Sequence, residues 1–429
     1  MGRLAAQWQK LPVTLTELCI DTTLRCGQSF RWRKFDDEWR CTLHGRILSL
    51  KQDAESLYYK AAFPDEAAIA ASSGTPRPRS DDAPGGDDTE ALLRRYFRLQ
   101  LDLRALYDQW SRDDANFRKK APQFSGIRIL NQDAWEALVC FICSSNNNIS
   151  RISQMAHKLC IHYGPRLGTV DGEDYHDFPS PAALAKPSVE THLRQLGFGY
   201  RAKYIVQTAQ KMLDEKPAGW LNQLRNPACP PPWGEELPPP AKTGPAVSNN
   251  DDCVPSYKTA HEQLLTLSGV GPKVADCVAL MGLGWGEAVP VDTHVWQIAV
   301  RDYKFKKIAS KTFSKAIHDA VGDHFRNLWG PYAGWAQSVL FTANLKSFSE
   351  QLKGGEGEDK DKTVSTKSSP KSPSKAVKKE ILEEEEEKVS AKVTTTKRRR
   401  TTVVKTEEDV KVTVVEEVQT RSSKRRRRG

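Results

Sequence analysis

Two side chains of the stretch LLTLSGVGPKVADCVALMGLGWGEAVPVDTHVWQIAV, residues 264–300, could do chemistry: the amine of Lys273 and, nineteen residues later, the carboxylate of Asp292. A lysine amine is a nucleophile only when neutral, and a free lysine with pKa ~10.4 is neutral about once in 2,500 molecules at pH 7. A helix N-terminus and partial burial both disfavour the ammonium form. The plainer use of such a lysine is to hold a phosphate. Asp292 stands where a helix N-cap is wanted, and capping is its plainer use. A carboxylate there can also stabilise developing positive charge and move protons.

The elements that must position these groups are legible around them. A helix ends in Leu-Ser-Gly, Gly269-Val270-Gly271-Pro272 makes a hairpin, and a second helix runs from Lys273 to about Leu283. Glycine supplies the φ > 0 conformations of a tight turn, and proline suits the first helical turn. The N–H groups at Gly269 and Gly271, with the positive end of the lysine helix, form a place for a phosphate. A Gly/Pro-punctuated loop then leads to Pro290-Val291-Asp292, where a third helix begins.

Helix, GVG hairpin, lysine and the downstream VPVDTH resemble the signature of the helix-hairpin-helix DNA glycosylase superfamily. A GVG hairpin by itself also occurs in proteins that bind DNA without catalysis. Three further segments resemble the eukaryotic 8-oxoguanine DNA glycosylases: CGQSFRW at 26–32, RILNQDAWEALVCFICSSNNNISRI at 128–152, and LGFGYRAKY at 196–204. GWAQ-x-VLF at 334–341 is also a family segment. Read alone, Gly27 is a turn glycine, the Asn146-Asn147-Asn148 run caps a helix, and Phe341 is core.

The resemblance implies a function and a role for each matched residue. Excision of a base requires the nucleotide to be extruded from the duplex. Lys273 is the implied nucleophile, displacing the base and forming a Schiff base with the opened sugar, after which the strand is cut by β-elimination. Asp292 assists that transfer. Gly27 presents a carbonyl to the N7–H of oxidised guanine, Cys277 and Phe341 sandwich the base, Gln337 reads its pairing edge and Met281 lines the pocket. Asn146, Arg151 and Arg201 hold the cytosine left behind, Tyr200 wedges beside it, and His294 contacts a phosphate. The implied partner is double-stranded DNA containing an oxidised purine, bound by a monomer, with no cofactor and no metal. The alternatives are a glycosylase for another oxidised base and a non-catalytic hairpin DNA-binding protein.

Composition sets the bounds. The 429 residues contain 38% hydrophobic residues with 11 Trp, 14 Phe and 11 Tyr, enough for a sizeable core. No apolar run approaches the roughly 20 residues of a membrane span. The first residues, MGRLAAQWQKLPV, lack the apolar centre of a secretory signal, which points to an intracellular protein. Of the net charge of +10, +7 falls in residues 351–429, with 22 Lys/Arg against 15 Asp/Glu, so the body must grip nucleic acid through a local basic face. Nine cysteines show no disulfide framework, and Cys140-Phe-Ile-Cys143 lies in an apolar helical run that reads as core. No cysteine follows Cys277, so the four-cysteine iron–sulfur motif of some superfamily relatives is absent from this sequence.

The expected fold class is α+β. Residues 1–115 form an antiparallel sheet domain, with alternating segments SFRWRKF, EWRCTLH, RILSLKQ and LYYKAAF and a loop insertion at 71–88. Residues 116–350 form the helical glycosylase domain with a Pro-rich insertion at 227–255; helices are expected at 293–303, 309–325 and 332–347. Residues 351–429 contain no Phe, Trp or Tyr and are expected to be a disordered tail. KRRR at 397–400 and KRRRR at 424–428 suggest delivery to the nucleus, with a mitochondrial pool also open.

Overall fold

The computed structural model describes residues 7–64, 87–232, 255–305 and 314–348. Most of both insertions and the whole 351–429 segment lie outside the described residues.

The alternating segments form a five-stranded antiparallel sheet: β1 (Gln9–Pro12), β2 (Arg33–Phe35), β3 (Glu38–Leu43), β4 (Arg46–Gln52) and β5 (Ser56–Ala62), in the order β1-β5-β4-β3-β2. β3 and β4 meet at Leu43↔Arg46 across His44-Gly45, both at positive φ (54° and 75°). Two such residues make the turn whose twist matches paired strands. Leu11, Leu48, Leu50 and Leu57 are buried beneath the helix Thr89–Tyr96, which contributes Leu92, Leu93 and Tyr96. β1 was not expected, because it pairs with β5 far along the chain: Gln9↔Tyr59 and Leu11↔Leu57.

A second core gathers the helices, from Leu103 on the helix Leu103–Asp113 to Phe348. At its centre the wholly buried helix Ala134–Cys143, apolar but for Glu136, lies against the helix Pro272–Met281. Their approach is close at Gly282, where an added Cβ would stand 3.1 Å from both Ala134 Cα and Ala137 Cβ. Cys140 and Cys143 are buried there as core thiols, and desolvation pushes Cys143 up to about 12. The helices Thr293–Tyr303, Lys315–Trp329 and Ala333–Asn344 complete the layer. The helix expected at 309–325 is thus observed at Lys315–Trp329, capped by Ser314, with residues 306–313 outside the described set. A small hairpin of β6 (Arg166–Val170) and β7 (Glu173–His176), turning on Asp171-Gly172, was also not expected.

The segment Cys26–Trp32 is the seam between the two cores. Phe30 meets Phe141 edge-on at 5.5 Å. Gln28 Nε2 donates to the Arg128 carbonyl at 2.8 Å, while its Oε1 accepts from Leu130 N at 2.9 Å. Buried Arg31 makes a two-pronged bond to buried Glu136, Nε to Oε1 at 2.7 Å and Nη2 to Oε2 at 2.6 Å. These bonds hold Gly27 at a fixed place on the helical layer.

Candidate active site

The hairpin links the helices Tyr257–Leu264 and Pro272–Met281. Gly269 sits at φ +77°, and an added Cβ would lie 2.6 Å from Tyr204 Cβ and Cγ, so both the backbone and the close approach require glycine. Thr208 Oγ1 donates to the Ser268 carbonyl at 2.9 Å and Lys211 Nζ to the Thr266 carbonyl at 3.0 Å, tying the hairpin to the helix Arg201–Asp214. Gly271 is the N-cap of the lysine helix in an extended conformation, with Pro272 in the first turn. Among the described residues, no neighbour stands within 4 Å of a Cβ built at Gly271.

Lys273 is half-buried and points towards the end of the Ala134–Cys143 helix. Its Nζ donates to Ser144 Oγ at 3.4 Å and lies 5.2 Å from the Phe141 ring centre. The Ser144 hydroxyl itself donates to the Phe141 carbonyl at 2.7 Å. One turn after Lys273, Cys277 is buried. Burial pushes its thiol up to about 11, against the pull of the Lys273 charge and a hydrogen bond from Lys273; the Asp292 carboxylate adds to the rise. Lysine, thiol and carboxylate therefore share one electrostatic neighbourhood.

Asp292 caps the Thr293–Tyr303 helix, its Oδ1 accepting from His294 N and Val295 N, each at 2.9 Å. The capping use is thus realised, and it fixes the carboxylate at the start of that helix. His294 is exposed in the first turn of that helix and meets Phe341 edge-on, ring centres 6.1 Å apart. A Cβ built on Gly27 (φ +90°) would stand 2.9 Å from Ile149 Cδ1 and 3.9 Å from Phe341 Cε1. Gly27, His294 and Phe341, from three distant parts of the chain, thus form one wall. Gln337 is buried one turn before Phe341 on the same helix. Met281 is buried at the end of the lysine helix, its carbonyl accepting from Gln132 N at 2.9 Å.

The asparagine run divides its labour. Asn148 caps the helix Ile149–Tyr163, accepting from Arg151 N at 2.8 Å, and Asn147 Nδ2 donates to the Cys143 carbonyl at 2.9 Å. Asn146 is exposed, in the left-handed region at φ 48°. Arg151 is exposed, with Nη2 3.2 Å from the Gly197 carbonyl. Tyr200 is 47% exposed, with its hydroxyl donating to the Ser145 carbonyl at 3.0 Å. Arg201, by contrast, is only 4% exposed. Its guanidinium lies 4.7 Å from the Tyr200 ring centre and donates to the carbonyls of Ser145 and Asn146, the latter at 2.9 Å. In this structure Arg201 holds the 145–146 turn and its donors face protein.

Sequence reading passed over Ser144, Gln28, Arg31 and Asp276. An arginine and a glutamine in an otherwise apolar strand approach, and an aspartate within the apolar run VADCVALM, were the available signals.

Residues 10–138 match the family described as the N-terminal domain of 8-oxoguanine DNA glycosylase. Residues 139–321 match the HhH-GPD superfamily of base excision DNA repair proteins. The chain is 36% identical over 365 residues to an N-glycosylase/DNA lyase of Saccharomyces cerevisiae, covering 78% of this chain and 86% of that one. It is 36% identical over 343 residues to the Arabidopsis thaliana N-glycosylase/DNA lyase OGG1, covering 79% and 80%. A solved Clostridium acetobutylicum 8-oxoguanine glycosylase/lyase, in complex with double-stranded DNA containing cytosine opposite 8-oxoG, shares the fold. Its TM-score is 0.58 at 22% identity, covering 82% of this chain and 98% of that one. With its sheet domain, hairpin lysine and capping aspartate in place, this chain belongs to the eukaryotic 8-oxoguanine DNA glycosylase family, the N-glycosylase/DNA lyases of base excision repair.

Proposed function

We propose that this protein excises 8-oxoguanine paired with cytosine from double-stranded DNA, using Lys273 as the nucleophile. The observation that carries the reading is Lys273 at the start of the hairpin helix, with Asp292 capping the helix whose first turn brings His294 into the wall with Gly27 and Phe341. The neutral Lys273 amine attacks C1′ of the extruded nucleotide as the bond to the base breaks, and the base leaves with its electron pair and takes up a proton. The attached amine gives up a proton, and the resulting N,O-acetal opens to a Schiff base as the C1′–O4′ bond breaks and the ring oxygen takes up a proton; loss of a C2′ proton then expels the 3′ phosphate. Asp292, held by two backbone N–H bonds, is placed to balance the positive charge that grows on the sugar and to relay protons.

Gly27 offers its carbonyl to N7–H, Phe341 and Cys277 close on the faces of the base, Gln337 reads its edge, and Met281 backs the pocket. Asn146 and Arg151, exposed at the ends of neighbouring helices, take the opposite cytosine, and exposed Tyr200 wedges beside it. Arg201 joins them by exchanging its carbonyl bonds for the base. His294 and the N–H groups at Gly269 and Gly271 hold phosphates. The protein acts as a monomer, and its basic clusters at 397–400 and 424–428 direct it to the nucleus.

Borohydride trapping on duplexes containing 8-oxoguanine tests this. The wild-type protein cross-links and cuts fastest opposite cytosine, and Lys273→Gln binds the lesion duplex without cross-linking. Full cross-linking by Lys273→Gln, or equal rates opposite all four bases, overturns the corresponding part of the reading.

A further inference from the structure

The lysine helix carries a second ionisable group that this reaction does not use. Asp276 lies three residues after Lys273 and one before Cys277, and its side chain is fully buried. A buried carboxylate is tolerated only where bonds compensate for lost water, so its partners show what it is for. Oδ1 accepts the Tyr257 hydroxyl at 2.6 Å and stands 3.4 Å from His261 Nε2, both on the first helix of the hairpin. Oδ2 lies 3.0 Å from His318 Nε2 on the helix Lys315–Trp329.

The surroundings extend the network outward. The His261 and His318 rings stack with centres 6.5 Å apart. His318 Nδ1 lies 3.4 Å from Asp319 Oδ1, and Asp319 pairs with Lys315 at 2.7 Å. Arg326 covers the Tyr257 ring at 5.4 Å and pairs with Asp323 at 2.8 Å. Two helices thus converge on one carboxylate in the middle of the lysine helix, one through a directional hydrogen bond from Tyr257 and both through close histidine contacts.

Apolar packing alone lets a helix rotate or slide by small amounts; directional bonds resist both. Side-chain tips ride roughly 5–6 Å from a helix axis, so a rotation of about 20° moves them by about 2 Å. A misplacement of about 1 Å at a reacting atom can cost about 100-fold in rate. Any rotation that separated Asp276 from its partners would carry Lys273 away from Ser144 by the same angle.

We propose that Asp276, hydrogen-bonded to Tyr257 and in close ionic contact with His261 and His318, is a positioning residue for base excision. It sets the rotation and register of the lysine helix and so aims Lys273 Nζ at the sugar C1′. The proposal rests on Lys273 being the nucleophile.

The test uses the full chain carrying Asp276→Asn, and separately Tyr257→Phe, which removes one hydroxyl, the donor to Asp276 and the acceptor from Arg326, and disturbs the core least. Single-turnover excision of 8-oxoguanine and lesion-duplex affinity are measured side by side, with Lys273→Gln trapping as a control. The expected result is a 10- to 100-fold slower excision for Asp276→Asn and a smaller slowing for Tyr257→Phe, with duplex affinity within about threefold of wild type for both. A network that merely stabilises the fold would lower affinity and melting temperature together while the folded fraction reacted at the normal rate. Wild-type single-turnover rates in folded Tyr257→Phe and Asp276→Asn overturn the proposal. Parallel loss of affinity and rate overturns it as well. Cross-linking by Lys273→Gln would instead overturn the underlying assignment of the nucleophile.

Discussion

Lys273 Nζ and Ser144 Oγ lie 3.4 Å apart although 129 residues separate them in the chain. Ser144 follows directly on the Ala134–Cys143 helix, and the next residues supply the carbonyls that hold Tyr200 and Arg201. A single turn, 144–146, therefore touches the proposed nucleophile on one side and the residues assigned to the opposite strand on the other. In the proposed reading, contact with the opposite base and aim of the amine therefore pass through one turn.

Ser144→Ala removes the acceptor for Lys273 without burdening the fold. Excision in single turnover should fall roughly fivefold, the equivalent of about 1 kcal/mol for one hydrogen bond, with trapping slowed alike. Rates equal to wild type would show that the contact does not orient the amine.

Gly269→Ala places a methyl group on Tyr204 at a positive φ. The hairpin must shift, so unfolding free energy should drop by about 1–3 kcal/mol and duplex binding should weaken. Urea denaturation and a binding titration measure the two effects; an unchanged titration would mean that the hairpin does not grip DNA.

Glu136→Gln leaves the buried Arg31 guanidinium facing a neutral amide at the seam between the two cores. Breaking a buried pair from one side costs about 3–5 kcal/mol, so the melting temperature should fall by several degrees or more. Arg31→Met together with Glu136→Met should recover most of that loss, because neither member of the pair then remains stranded, while Asp177, 3.6 Å from Arg31 Nη1, loses a contact. A double variant as unstable as the single one would contradict this account.

His318 gives stability a pH dependence. Burial alone would lower its pKa, but Asp276 and Asp319 outweigh that and raise it above the ordinary 6.5. The folded state therefore binds this proton more tightly than the unfolded chain does. The stabilisation is fully present below about pH 6.5 and is lost as pH climbs through the folded-state value. Urea midpoints of wild type and His318→Gln, compared from about pH 5.5 to about pH 9, should differ most at the acid end and converge towards the alkaline end. A gap that widens with rising pH would reverse the assigned sign.

Local signals carried much of this protein. The Gly-Val-Gly-Pro hairpin, the Asp292 cap and the alternation of β2 to β5 each depend on a few adjacent residues, and each stands where the sequence alone placed it. Asp171-Gly172 was an equally local hairpin signal and was passed over. What the sequence could not show is what long chain separations bring together. β1 is a strand only because β5 offers it an edge, and Arg31 is a seam residue only because Glu136 comes to meet it 105 residues later. Arg201 looked like a free donor, but the fold turns it onto two backbone carbonyls. Asp276 reads as an error in an apolar helix until Tyr257, His261 and His318 arrive from two other helices. Backbone conformation answers to near neighbours, whereas the bonds that make a buried charge tolerable are supplied by whatever the folded chain places beside it.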